Sequence, residues 1–173
     1  MRTLIFLRHA KSSWALPGLD DFDRPLNDRG NKTAPQMAKW LNDQQIKPDV
    51  LLCSPALRTR QTLAHIKPII GQNSKDIIEH SLYLASSQTL LTIASELDDN
   101  FKTAILLGHN PGLHDAALEV LNPTSQRESG QMQSHFPTCA CAIVSLAIDN
   151  WHNITEDIGV LRAYMSPKAL PTS

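Results

Sequence analysis

Cysteine is scarce in this chain. Cys53, Cys139 and Cys141 make an odd number in 173 residues, which argues against a disulfide framework. Cys139 and Cys141 stand two apart in a strand-like run and so share a face. With no second pair to complete a tetrahedral set, they read as small core hydrophobes rather than zinc ligands. An excess of either charge is missing as well, since 16 basic and 17 acidic residues leave a formal charge of −1. That balance offers no electrostatic footprint for nucleic acid or a membrane surface. Long hydrophobic runs are absent, none approaching the ~20 residues of a bilayer span. The opening residues lack the apolar core and small-residue cleavage site of a secretory leader. A soluble cytoplasmic protein is the expectation, and the length predicts one domain over residues 1–173.

What the chain does contain is an alternation of strand-like and helix-like segments, the pattern of an α/β fold. Leu4, Ile5, Phe6 and Leu7 form an apolar run too short for a helix and rich in strand formers, so it reads as a central strand covered on both faces. It ends at Arg8-His9. The stretch from Trp14 to Asn27, with three aspartates, two prolines and a glycine, reads as a surface loop over that strand end. Ala34, Met37, Ala38 and Leu41 follow at helical spacing. Asn27 or Asp28 can cap this helix, but Pro35 then interrupts it, which costs about 3 kcal/mol in a helix interior; a start near Pro35 or a kink is expected.

Asp49–Cys53 supplies a second strand, and Ser54-Pro55 reads as a helix cap followed by proline in the first turn, with the helix ending near Lys67-Pro68. A weaker strand at Asp76–Ile78 precedes a helix capped by Ser86 or Ser87. Thr103–Leu107 is the next strand, ending in Gly108-His109-Asn110-Pro111-Gly112, with a helix expected from Leu113 to Leu121. Residues Asn122–Gln133 read as a loop. Cys139–Ile148 and Ile154–Arg162 are expected to form an antiparallel pair at a sheet edge, joined at Asp149-Asn150.

In an open α/β sheet, right-handed crossovers bring the carboxyl ends of the parallel strands to one edge, where ligands bind. Arg8-His9, Ser54–Arg58 and Gly108-His109 should therefore converge. Arg58 falls in the first turn of its helix, where free backbone amides favour an anion. Two histidines and two arginines in one cleft suit a phosphoryl group, whose oxygens match the forked donors of arginine. His9 there can serve as base, ligand or nucleophile.

Four segments now stand in order: Arg8-His9-Ala10-Lys11-Ser12; Arg24-Pro25-Leu26-Asn27 with Gly30; Ser54-Pro55-Ala56-Leu57-Arg58 with Gln61-Thr62; and Gly108-His109-Asn110-Pro111. Together they resemble the signatures of the histidine phosphatase superfamily, and the Lys-Ser-Ser-Trp continuation with the short length resembles its SixA-type phosphohistidine phosphatase branch. The resemblance implies a three-layer α/β/α fold of the phosphoglycerate mutase type, with a mostly parallel sheet. It implies His9 as nucleophile, Arg8, Arg58 and His109 as holders of the phosphoryl oxygens, a backbone carbonyl such as that of Ala10 fixing the His9 tautomer, and no metal or cofactor. Ser12 matches a family position that contacts phosphate, and a turn-capping serine is the alternative. Lys11 is either a phosphate contact or a solvated loop lysine. The glycine usual after the catalytic histidine is Ala10 here.

The insertion that carries a general acid in larger members is missing. Asp20, Asp21, Asp23 and Glu79 are the candidates, with Asp21 preferred; a turn carboxylate or a partner of Arg24 is its other reading. A phosphoramidate whose nitrogen is protonated leaves without such an acid, which favours phosphohistidine on a protein as substrate, for instance in a phosphorelay or phosphotransfer system. A small phosphometabolite is the second reading, and a non-catalytic phosphoprotein-binding module the third. His65, His80, His114, His135 and His152 lack metal-ligand spacing.

Overall fold

The computed structural model describes residues 1–15 and 17–170; Leu16, within the predicted loop, lies outside the described residues. Six strands form one sheet: β1 (Arg2–Arg8), β2 (Val50–Cys53), β3 (Lys75–Ile78), β4 (Thr103–Gly108), β5 (Cys141–Leu146) and β6 (Gly159–Met165). Their order is β3-β2-β4-β1-β5-β6. The first four run parallel, and β5 pairs antiparallel with both β1 and β6. Helices α1 (Asp28–Asp43), α2 (Leu57–Ile70), α3 (Ser87–Ser95), α4 (Gly112–Glu119), α5 (Pro123–Glu128) and α6 (Gln131–Ser134) complete the chain. None of them is long and apolar enough to cross a membrane.

The apolar strands divide their side chains by the period of two. Ile5, Leu7, Leu51, Cys53, Ile105 and Leu107 meet α1 and α2 on one face, while Leu4, Phe6, Val50, Leu52, Ala104 and Leu106 meet α3 and α4 on the other. The result is the expected three-layer α/β/α architecture. Because β1 and β4 lie side by side with both faces covered, Arg8 and Gly108 stand at the same register position at the carboxyl edge.

Several boundaries differ from the sequence expectation. Helix α1 starts at Asp28, with Asn27 Oδ1 accepting from Gly30 N at 2.9 Å, and runs through Pro35. Its buried stripe of Ala34, Met37, Ala38 and Leu41 outweighs the proline penalty, since burying Met37 and Leu41 alone contributes about 1.5–3 kcal/mol each. Helix α2 has Ala56 as its cap residue, with no side-chain cap, and continues through Pro68 to Ile70. Ser54 is not the cap, because its hydroxyl is engaged by His109. Residues 123–134 are two short helices rather than a loop: Asn122 Oδ1 accepts from Ser125 N at 2.8 Å and Pro123 takes the first position, a signal present in the sequence. Cys139 lies before β5 with φ of +64°, so it does not share strand periodicity with Cys141, although both are buried in the same cluster. The β5–β6 connection spans 147–158 and includes the short turn Trp151–Asn153, with Trp151 fully buried.

Candidate active site

The sheet edge delivers the four predicted residues to one place. His9 continues β1 by one residue, and its backbone is held from both sides: His9 N donates to Gly108 O at 3.1 Å, and His9 O accepts from Cys139 N at 2.9 Å. Ala10 N donates to Thr62 Oγ1 at 3.0 Å, which ties the turn to α2. The next turn is held by α1, since a Cβ at Gly30 would overlap the Lys11 carbonyl. The backbone that carries His9 is therefore fixed by three neighbouring elements.

The imidazoles of His9 and His109 lie with ring centroids 5.2 Å apart. His9 Nδ1 is 2.8 Å from Ala10 O. A carbonyl only accepts, so Nδ1 carries the proton and Nε2 keeps its lone pair. His9 is 6% exposed; burial first, against the opposing effect of the Ala10 carbonyl, and then the nearby His109, Arg58 and Arg8 bring its pKa down to about 3. His109 is also drawn down to about 3, by burial and then by Arg58. Both rings are neutral in the physiological range. Arg58 Nη2 donates to His109 Nδ1 at 3.2 Å, so the His109 proton sits on Nε2 and points to Ser54 Oγ at 2.7 Å.

Arg58 is buried and is held by the loop that precedes α1. Its Nη2 pairs with Asp21 Oδ2 at 3.0 Å, and its Nη1 donates to the Asp21 carbonyl. The same carboxylate accepts from the Tyr83 hydroxyl at 2.7 Å and, through Oδ1, from Arg24 Nε and Nη2 at 3.0 and 2.9 Å. Desolvation pushes the Asp21 carboxyl up, but Tyr83, Arg24 and Arg58 outweigh it and hold its pKa at about 2. Asp21 is thus placed as the common anion of two arginines, which includes the partnership with Arg24 that is its other reading in the sequence. Ser12 is likewise committed, its Oγ accepting from Arg24 Nη1 at 2.7 Å. Trp14, 74% exposed, stacks 3.6 Å over the Arg24 guanidinium.

Arg8 is held by a different segment. Its Nη1 donates to Phe136 O at 3.0 Å, and Asn110 Nδ2 donates to the same carbonyl at 2.8 Å. The Phe136 ring stacks on His114, whose Nε2 donates to Met132 O, so this histidine is structural. Arg8 Nε, Arg58 Nε and Asn110 Oδ1 are buried without a partner. Arg2 Nε shares that state at the opposite end of β1, so the lack of a partner does not by itself mark a binding site; Arg8 and Arg58 differ in lying close enough to His9 to lower its pKa. Burial and the nearby Arg58 lower the pKa of Arg8, as expected for two guanidinium groups brought together to meet an anion. Lys11 is exposed and lines a cleft beside Arg8.

Sequence reasoning missed Tyr83, in an irregular stretch with no periodic signal, and while it brought Ser54 to the sheet edge, it read that residue as a helix cap rather than as the partner of His109. Among the described residues, no three His, Cys, Asp or Glu side chains converge as metal ligands would.

Residues 4–105 match the family model described as the histidine phosphatase superfamily, branch 1. An uncharacterized protein of Mycobacterium tuberculosis (strain ATCC 25618 / H37Rv) is 30% identical over 164 residues, covering 94% of this chain and 100% of that one. Two solved structures are similar over nearly the whole length. A candidate phosphohistidine phosphatase SixA from Nakamurella multipartitia aligns with a TM-score of 0.83 at 26% identity, covering 97% of each chain. Another from Agrobacterium tumefaciens aligns with a TM-score of 0.81 at 27% identity, covering 96% of this chain and 98% of that one.

Proposed function

Since the chain belongs to the histidine phosphatase superfamily, we propose that it hydrolyses phosphohistidine on a protein, with His9 as the nucleophile. The observation that carries this reading is the single tautomer of His9, with Nδ1–H held by the Ala10 carbonyl at 2.8 Å and Nε2 unprotonated. In the first step the Nε2 lone pair attacks phosphorus in line and the phosphorus–nitrogen bond to the substrate imidazole breaks. That imidazole, protonated beforehand, leaves as a neutral ring. In the second step water attacks the phosphorylated His9, releasing inorganic phosphate and restoring the neutral ring. Arg8 and Arg58 donate to the equatorial oxygens and offset charge on the loose phosphoryl group. His109 acts with them by presenting Nδ1 to Arg58, which keeps that guanidinium aimed at the pocket.

The state of Asp21 supports a phosphoramidate substrate. An ester oxygen leaves well only with a proton supplied by the protein, whereas a protonated imidazole nitrogen needs none, and Asp21 holds none. Similarity to the two SixA candidates supports the same substrate class. On this reading the partner is a histidine-phosphorylated phosphorelay or phosphotransfer protein of the cytoplasm, and residues 1–173 act as one domain.

The test compares turnover on a histidine-phosphorylated protein, on phosphoramidate and on a panel of phosphate monoesters. Both phosphoramidates should be hydrolysed well ahead of the esters, and His9→Ala should lower turnover at least ~10³-fold, the scale of losing a nucleophile. Full activity in His9→Ala would reject the nucleophile. Esters hydrolysed faster than both phosphoramidates would move the substrate to a small phosphometabolite.

A further inference from the structure

We propose that the basic cleft beside Arg8 seats an acidic segment of the protein whose phosphohistidine is attacked by His9. The inference rests on the phosphohistidine reading and extends it to where the rest of the substrate lies and which chemistry selects it. The cleft encloses about 690 Å³ and is lined by Arg8, Lys11, Arg29 and Lys168, with no aspartate or glutamate in its walls. In a chain of net charge −1, four cations around one hollow are a strong local departure. Among the described residues none of the four is paired with a carboxylate, whereas Arg2, Arg24, Arg58 and Lys67 all are.

Arg8 connects this cleft to the chemistry. It is the chain neighbour of His9 and a wall of the cleft, and its buried Nε has no partner. His9, Arg58 and His109 are not in the cleft walls, so a ligand lying there meets the site through Arg8, the residue next to His9 in the chain and close enough to lower its pKa. Thr33 and Thr138 add hydroxyls to the walls. The form of the site favours a segment of a larger partner over a free small anion. Lys11, Arg29 and Lys168 are exposed and come from three separate segments, so they frame an open channel rather than a closed cradle. Small-molecule sites bury most of their ligand in largely apolar walls. Exposed charges of one sign instead steer and select a complementary surface.

Two phosphohistidine peptides, identical except that flanking glutamates in one are glutamines in the other, test this with wild type and an Arg29→Gln/Lys168→Gln variant. Wild type should favour the glutamate peptide, chiefly in KM, and the preference should shrink as salt rises, because exposed charges are screened. The double variant should raise KM for that peptide about 3- to 10-fold, the scale of two exposed charge pairs, with kcat unchanged and phosphoramidate turnover within about twofold. Equal treatment of the two peptides by wild type would overturn the proposal, as would an equal loss on phosphoramidate in the variant. If wild type hydrolysed neither peptide nor phosphoramidate, the functional reading would fail while the cleft could still be judged. Fluorescence anisotropy of a labelled, unphosphorylated glutamate-rich peptide should then show binding that the double variant weakens. No binding, or tight binding of pyrophosphate with none of the peptide, would overturn the acidic-segment occupant.

Discussion

Arg58 is held through both terminal nitrogens by Asp21 and His109, with only its Nε unpartnered, whereas Arg8 lines a cleft whose cations have no carboxylate partner among the described residues. Asp21, Tyr83, His109 and Ser54 form the first side as one hydrogen-bonded network. Lys11, Arg29 and Lys168 line the second. The difference teaches how a site can be both exact and permissive. A buried guanidinium must be partnered, since an unpaired buried charge costs several kcal/mol, and the partners fix its direction. Exposed cations carry no such cost, and they remain available to whatever anion arrives.

Three experiments press on that contrast, beginning with the largest effect. Arg58→Ala should lower kcat on a phosphoramidate by about 10²- to 10³-fold, the scale of losing a positioned donor to transition-state charge. Arg29→Ala should change it less than about twofold. Steady-state kinetics on both variants checks the ranking, and similar losses would erase the distinction between the two sides.

Asp21→Asn comes next. As the anion between Arg24 and Arg58, its loss should lower phosphoramidate turnover by less than about tenfold and leave the acid limb of the pH–rate profile in place. A general acid would instead be worth about 10²- to 10⁴-fold, and a drop of that size with a lost limb would restore the acid role to Asp21.

The smallest effect concerns stability. His9 and His109 titrate near 3 in the folded protein, against about 6.5 for a free imidazole. Between these values the unfolded chain binds protons that the folded chain refuses, so stability is full above about pH 6.5 and falls as pH drops toward 3. Each histidine contributes a slope of up to ~1.4 kcal/mol per pH unit. Urea unfolding between pH 7 and pH 4 should show the decline, and His9→Asn should reduce its slope by about half. An unchanged slope would mean that His9 is protonated in the folded state.

Much of the layout was legible in the residues. The runs at 4–7, 50–53 and 103–107 are short, apolar and followed by polar turns, so strand, burial and sheet edge follow from local pattern. Once those strands are parallel, Arg8, His9, Arg58 and His109 must meet at one edge. The reading of Asn122–Gln133 as loop overlooked a cap signal that was present. Tyr83 was not legible, because nothing in its neighbourhood marks a residue that reaches Asp21 across 62 positions.

The sequence by itself determined the α/β order of elements, the strand ends that carry the chemistry, and the absence of a glycine after His9. Those properties depend on neighbours along the chain. Only the tertiary structure decided which nitrogen of each histidine holds the proton, that Asp21 is spent on two arginines, and that the cations beside Arg8 face a cleft without carboxylates. Such properties are set by burial and by partners from distant segments, and both exist only after the chain has packed.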